Sequence, residues 1–171
     1  MSLSTRWIAR LMLVVWLTWA AGLQAWLADA GHLAPMTPDL SMVLVACLAG
    51  ALPRRELPML LLLGLLARQS FSVDPASATL AGLLAVGGLV RALGTVVDVA
   101  GPLGRTLSTV LAAGGFALWI EVVRVVRSGA GPGLDLTGLA PMVAASALLA
   151  LLLGGAALRL PGLLPLGREG W

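Results

Sequence analysis

Long stretches of this chain carry almost no charge, and they limit the possible folds more than any other feature of the sequence. Residues 11–27 contain no charged side chain, and residues 141–160 contain only Arg159. A soluble domain would have to cover such stretches with polar surface, but only 11% of the residues are charged and the mean hydropathy is +0.98. These stretches predict a multi-pass integral membrane protein, which we place in the inner (plasma) membrane.

Six apolar segments are bounded by charged residues, Pro and Gly. They cover residues 7–28, 38–52, 57–71, 75–94, 104–126 and 139–160. The second and third would reach only about 22 Å each as helices, less than the roughly 30 Å of a hydrocarbon core. The sequence predicts an all-α protein, in which residues 1–171 form a single compact bundle of about six transmembrane helices, two of them short. Whether residues 38–71 make two full spans or a short hairpin stays open.

The distribution of arginines predicts the orientation, because cytoplasmic loops collect basic residues. We take the first segment as a retained span and not a cleaved signal peptide. With six spans and both termini inside, eight arginines fall on the cytoplasmic side and three on the outer side. The outer three are Arg68, Arg124 and Arg127, and the inner eight are Arg6, Arg10, Arg54, Arg55, Arg91, Arg105, Arg159 and Arg168.

Proline and small residues predict local features of the helices. Thr37-Pro38-Asp39 and Asp74-Pro75 each place a capping side chain before a proline at the first helical position. Small residues four apart predict close helix packing, since apolar lipid tails leave little hydrophobic driving force between helices. The pairs are Ala78 with Gly82, Ala81 with Ala85, and Ala150 with Gly154.

The few reactive side chains argue against an enzyme. The chain has one histidine, His32, in a predicted outer loop, and one cysteine, Cys47, in an apolar segment where we expect it to be buried. A zinc site needs more ligands than these, and no catalytic serine motif appears. The arginines are dispersed and form no basic run, which argues against nucleic-acid binding. We therefore expect no catalytic residues, metal or cofactor.

The polar run between the third and fourth segments is the best candidate for a site. It contains Arg68, Gln69, Ser70, Ser72 and Asp74. One interpretation is a capped turn between helices, with Arg68 extending its side chain to the lipid headgroups. The other is a surface that binds a partner or a ligand.

Two further groups are candidates for the same kind of surface. Glu121, Arg124 and Arg127 recur at a spacing of three in the fifth segment, so they share one helix face and can pair. Trp16 and Trp19 share one face of the first segment, together with Trp26. These tryptophans are typical of an aromatic belt and lipid packing, and the alternative is contact with a partner or a cofactor.

Several of these motifs resemble the MreD family of rod shape-determining membrane proteins. The likeness covers about residues 10–127 and rests on Pro38-Asp39-Leu40, the short hairpin, and residues 64–75 followed by a Gly- and Ala-rich segment. The family commonly has an acidic residue where Arg68 or Gln69 stands here, and often a glycine at the place of Ala76. The resemblance implies a non-catalytic partner of an MreC-like protein and of the peptidoglycan-synthesising elongation complex. It also implies a six-helix fold similar to the vitamin-binding S components of energy-coupling-factor transporters.

Two other functions fit the same sequence. Short, interrupted helices can line a pocket, as in a small-molecule-binding transporter subunit, although few polar side chains besides Gln24, Ser70 and Ser72 are available for it. The Trp-rich first segment and minimal loops also fit an accessory subunit of a photosynthetic or respiratory membrane complex. In each case we expect the chain to contact lipid and other integral membrane proteins.

Overall fold

Helices account for all the regular secondary structure in residues 3–29, 36–99, 101–129 and 137–167, the ranges that the computed structural model describes. The α-helices are α1 (Leu3–Asp29), α2 (Leu40–Ala51), α3 (Leu57–Gln69), α4 (Ala76–Leu93), α5 (Pro102–Ser128), α6 (Leu139–Leu153) and α7 (Leu164–Gly167). Two 3₁₀ helices, Arg54–Glu56 and Gly154–Arg159, follow α2 and α6. The predicted outer-loop residue His32 and the predicted inner residue Arg168 lie outside these ranges.

The prediction of an all-α protein is confirmed over the described ranges. Four helices are long and apolar enough to cross a membrane, and the candidate spans within them begin at Arg6, Ala76, Pro102 and Leu139. Each of the six predicted segments corresponds to one of the helices α1 to α6, with ends that differ by at most four residues, except that the sixth segment also includes the 3₁₀ helix Gly154–Arg159. Large apolar side chains such as Val15, Leu84 and Leu152 lie exposed on the outer faces of the helices. Such faces suit contact with lipid tails.

The shortest of these six helices, α2, lies at the centre of the bundle. It contacts α1, α3, α4, α5 and α6, together with the 3₁₀ helix that follows α6. Its buried residues are Ser41, Met42, Val43, Val45, Ala46, Cys47, Leu48 and Ala49. A helix that is apolar on all sides is stable only when neighbours cover every face, and the α2 sequence has this character. Because protein covers most of α2, this helix does not have to span the full thickness of a bilayer.

Helices α2 and α3 form a short hairpin. With 12 and 13 residues, the two helices extend only about 18 and 20 Å. The 3₁₀ turn Arg54–Glu56 joins them, and prolines at residues 53 and 58 stand on either side of it. Proline lacks a backbone N–H and therefore does not continue the preceding helix.

Both predicted proline starts are wrong in detail. In α2 the cap is Asp39, whose Oδ1 accepts a hydrogen bond from the Met42 backbone N–H at 3.0 Å, and the helix begins only at Leu40. In α4 the helix begins at Ala76, and no side chain caps it. The Asp74 carboxylate instead accepts a hydrogen bond from Ser72 Oγ at 2.7 Å. The Asp74 carboxylate therefore accepts a hydrogen bond within a local turn and does not cap α4.

Two of the three predicted small-residue pairs lie in the interior. Ala78 and Gly82 are buried where α4 packs on α5, and Ala150 and Gly154 are buried where α6 approaches α2 and α5. The third pair, Ala81 and Ala85, is exposed, so that prediction is wrong. A spacing of four residues selects a helix face but does not say whether that face meets a neighbouring helix.

Candidate functional site

An ion pair between Asp39 and Arg68 forms the centre of the polar cluster. Arg68 Nη1 donates to both carboxylate oxygens of Asp39 at 2.9 Å. The Asp39 side chain is only 2% exposed and that of Arg68 17% exposed. The Arg68 guanidinium carbon also lies 4.4 Å from the centre of the Phe116 ring, within the range of a cation–π contact. The pair thus joins α2 to α3 and places α5 against them.

Further hydrogen bonds extend this pair to α6. The Asp39 backbone N–H donates to Ser146 Oγ at 2.9 Å, and the Ser146 hydroxyl donates to the Met142 carbonyl at 2.8 Å. Asp39 therefore caps α2, neutralises the arginine and contacts α6 at the same time. We call this end of the bundle the Arg68 end, and the opposite end, which contains Arg10 and Glu56, the Arg10 end.

The interpretation of Arg68 as a side chain that extends to the lipid headgroups is wrong. Its guanidinium points inward because the buried Asp39 carboxylate supplies a counter-charge that lipid tails lack. Sequence reasoning placed the cap of α2 at Thr37, gave Asp39 no role in a site and missed the pair. A usable signal was present, since Asp39 and Arg68 are opposite charges at the same end of two antiparallel short segments.

The turn after α3 is held by its own side chains. The Gln69 side-chain amide donates to the Asp74 carbonyl and to Thr79 Oγ1, both at 3.1 Å. The Ser70 hydroxyl donates back to the carbonyl of Leu66, one turn earlier. These bonds fix the connection between α3 and α4, which agrees with the interpretation of a structured turn between helices.

An open cleft brings the turn together with the last residues of α5. Val73 and Asp74 line one side, and Arg124 and Arg127 line the other, around a volume of about 390 Å³. Glu121 accepts a hydrogen bond from Arg124 Nη1 at 2.6 Å, which confirms the predicted pairing on this face. The Arg124 side chain is 66% exposed and Val73 is fully exposed. Two separate sequence candidates therefore share one accessible surface, which we call the Val73 cleft.

A smaller pocket of about 200 Å³ lies between α1, α2 and α3 at the same end. Its polar lining comes from Gln24, Ser41, Arg68 and Ser72, and the Phe71 ring lies against α1 at Gly22. The Ser41 hydroxyl donates to Gln24 Oε1 at 3.4 Å. The pocket therefore combines hydroxyl, amide and guanidinium groups at the edge of the apolar core.

The predicted tryptophan surface lies elsewhere, on the side of α1 that faces α6. The Trp16 and Trp19 rings meet edge to face with centres 6.0 Å apart. The Trp16 indole N–H donates to the Pro161 carbonyl at 3.2 Å, and Trp19 is exposed. The two tryptophans therefore do not join the polar cluster around Arg68.

Charged groups at the Arg10 end also connect helices. Arg10 in α1 donates to both Glu56 carboxylate oxygens, at 3.0 and 3.2 Å through Nη2, and Glu56 is buried. Arg91 in α4 donates to the Leu52 carbonyl at 2.7 Å, at the end of α2. The sequence assigned these arginines to orientation alone, and their role in packing was not predicted.

Within the described ranges, no three His, Cys, Asp or Glu side chains lie close enough together to hold a metal ion. Cys47 is buried in α2, as expected. The polar clusters of both ends consist of paired charges and capped backbone groups. Arrangements of this kind position helices and can recognise a partner or a small ligand.

Comparison with known proteins adds no relative to this description. No protein-family model matches the chain, and neither a curated protein nor a solved structure shows significant similarity to it. The resemblance to the MreD family therefore stays a prediction that rests on the sequence motifs.

Proposed function

We propose that the chain is a non-catalytic partner subunit in the inner membrane, which resembles MreD and acts in the cell-elongation complex. The Val73 cleft is the observation that supports this proposal most. It combines an exposed apolar side chain with the accessible charges of Asp74 and Arg124, a composition typical of protein–protein contacts. The buried charges of the bundle hold helices together, whereas the charges of the cleft are accessible for recognition.

The test uses the tagged full-length protein expressed in its own cell with an MreC-like protein. Val73→Arg places a charge in the cleft, and Val96→Arg places the same charge on another exposed valine, in the α4–α5 connection. We expect Val73→Arg to lower the recovery of the MreC-like protein about tenfold, since losing one central contact commonly costs more than 1 kcal/mol. Val96→Arg should leave recovery unchanged. Recovery that is equal for both variants, or normal cell shape after loss of the protein, contradicts the proposal.

The proposal includes six spans with both termini in the cytoplasm. The arginine distribution supports this orientation, and the up-and-down order of α1 to α6 suits it. Single cysteines at Val73 and Thr95, in a Cys47→Ala background, should react with a membrane-impermeant thiol reagent from opposite sides. We expect Val73→Cys to be labelled from outside and Thr95→Cys only after the cells are opened. Labelling of both from one side contradicts the orientation.

The small pocket near Gln24 favours a second candidate, a ligand-binding subunit similar to an S component. Its hydroxyl and amide groups can select a small polar ligand at the membrane surface. Native mass spectrometry of the purified protein, followed by a thermal-shift screen with small polar metabolites, tests this. A bound small molecule that is lost in Ser41→Leu would favour the ligand-binding subunit over the scaffold.

A further inference from the structure

An apolar groove on the side of the bundle has no role in the proposed function. Its floor is one face of α2, with Leu44 and Cys47, and its walls are α1 and α6. Trp19 lines the α1 side and Leu153 the α6 side, and the volume is about 460 Å³. Both wall helices are candidate membrane spans, so the groove opens toward the hydrocarbon region. A concave surface in the hydrocarbon region has to be filled by lipid tails or by apolar side chains.

The groove is closed at the Arg10 end by the segment after α6. The Trp16 indole is bonded to the Pro161 carbonyl there, and Gly162 packs so closely on α1 that an added Cβ would lie 2.5 Å from Met12 Cγ. Gly162 also has a φ of +86°, which favours glycine. The closing segment therefore fits tightly, and a transmembrane helix in the groove could not continue past it.

The volume of the groove suits a flexible hydrocarbon chain better than a helix. A helix about 10 Å across with a 5.4 Å pitch fills roughly 400 Å³ per turn, so the groove accommodates about one turn. A transmembrane helix needs about 20 residues, or more than five turns. A single hydrocarbon chain is thinner and can lie along the whole groove.

The charges around the groove indicate which lipid it takes. Every side chain that lines it is uncharged. Arg159 is exposed and stands between the lining residues Ala157 and Leu160, at the closed end. A phospholipid with an acyl chain in the groove would bring its phosphate within reach of this arginine, and anionic headgroups are attracted to such basic groups.

We propose that the groove binds one acyl chain of an anionic diacyl phospholipid, with the lipid phosphate paired to Arg159. The site is independent of the Val73 cleft, with which it shares no lining residue. The bound lipid fills the space between α1 and α6 and thereby covers the partly buried face of α2 at Leu44.

The test is native mass spectrometry of the full-length protein, released from nanodiscs that contain equal amounts of phosphatidylglycerol and phosphatidylcholine. Ala156→Phe fills the groove from a lining position that is exposed, and Leu153→Trp fills it from a second position. Ala85→Phe adds the same ring to an exposed position of α4, away from the groove, and is the matched control. Melting temperatures in detergent confirm that each variant is folded.

We expect the wild type and Ala85→Phe to retain one phosphatidylglycerol. Both groove-filling variants should lower the fraction of protein that retains lipid about tenfold. Displacing two methylene groups of the acyl chain from the groove has an effect of that size. Arg159→Gln should still retain lipid but lose the preference for phosphatidylglycerol about fivefold.

Three outcomes overturn the proposal. The first is a wild-type protein that retains no lipid, and the second is equal retention by the folded groove-filling variants. The third is a dimer, a retained polypeptide or an isoprenyl phosphate that disappears in Ala156→Phe, because it would assign the groove to a different occupant.

Discussion

Removing the charge of Asp39 is the sharpest test of how this bundle is held together. Asp39→Asn keeps a side-chain oxygen for the Met42 N–H, and asparagine caps helices about as well as aspartate. The substitution therefore leaves the helix start intact and removes only the counter-charge of Arg68. With Arg68 only 17% exposed, its guanidinium would lie among helices without a partner.

The expected loss of unfolding free energy is large for the replacement of one carboxylate oxygen by an amide nitrogen. Breaking a buried pair by removing one partner typically costs 3–5 kcal/mol, and the partial exposure of Arg68 places this pair at the lower end, at about 3 kcal/mol. Arg68→Met should cost a similar amount, because it leaves the carboxylate buried. The double variant should cost no more than either single change, which corresponds to a coupling energy of about 3 kcal/mol.

Reversible unfolding in mixed micelles, followed by tryptophan fluorescence during titration with sodium dodecyl sulfate, measures these free energies. Glu121→Gln is the control, since it breaks a pair whose arginine is largely exposed and should cost less than about 1 kcal/mol. The reasoning is refuted if Asp39→Asn costs no more than Glu121→Gln. It is equally refuted if the two single costs simply add in the double variant.

Three further predictions concern contacts between helices, and the first and third use the same assay. Gly82→Val should lower the free energy of unfolding by about 1–3 kcal/mol, because an added Cβ lies 2.7–2.9 Å from two aromatic rings of α5. The control is Gly88→Ala, whose Cβ meets open space, and it should be neutral or stabilising by up to about 1 kcal/mol. Gly104→Ala should lower the yield of folded protein, since its Cβ would lie 2.0 Å from a backbone carbonyl oxygen, while Gly115→Ala should fold normally. Glu56→Gln should cost about 2–3 kcal/mol by leaving the α1 arginine without its charged partner; a loss below about 0.5 kcal/mol would contradict a structural role for that pair.

The helices themselves could be predicted from the sequence with little error. Apolar runs bounded by Pro, Gly and Arg locate α1 to α6, because backbone groups in hydrocarbon must bond within their own helix. The starts of α2 and α4 were less predictable. Asp39 and Asp74 both stand next to a proline, yet one caps a helix and the other accepts a bond from Ser72, and only the tertiary surroundings separate the two cases.

The site was predictable only in part. The residues of the turn after α3 and of the Glu121 face were found as two separate groups, because each forms a local pattern. Their meeting in the Val73 cleft depends on how α4 packs against α5, which no local pattern reports. The Asp39–Arg68 pair joins residues 29 positions apart, and its partner assignment likewise depends on tertiary packing.

The central position of α2 has a consequence for biosynthesis. A segment of 12 residues is too short to be released by the translocon as a lone span, and the helices that enclose it on the far side, α5 and α6, are synthesised only later. The α2–α3 hairpin, however, contains both members of its buried charge pair. Once α3 has left the ribosome, the hairpin can enter the bilayer with its buried carboxylate and guanidinium already paired, before the rest of the chain packs around it.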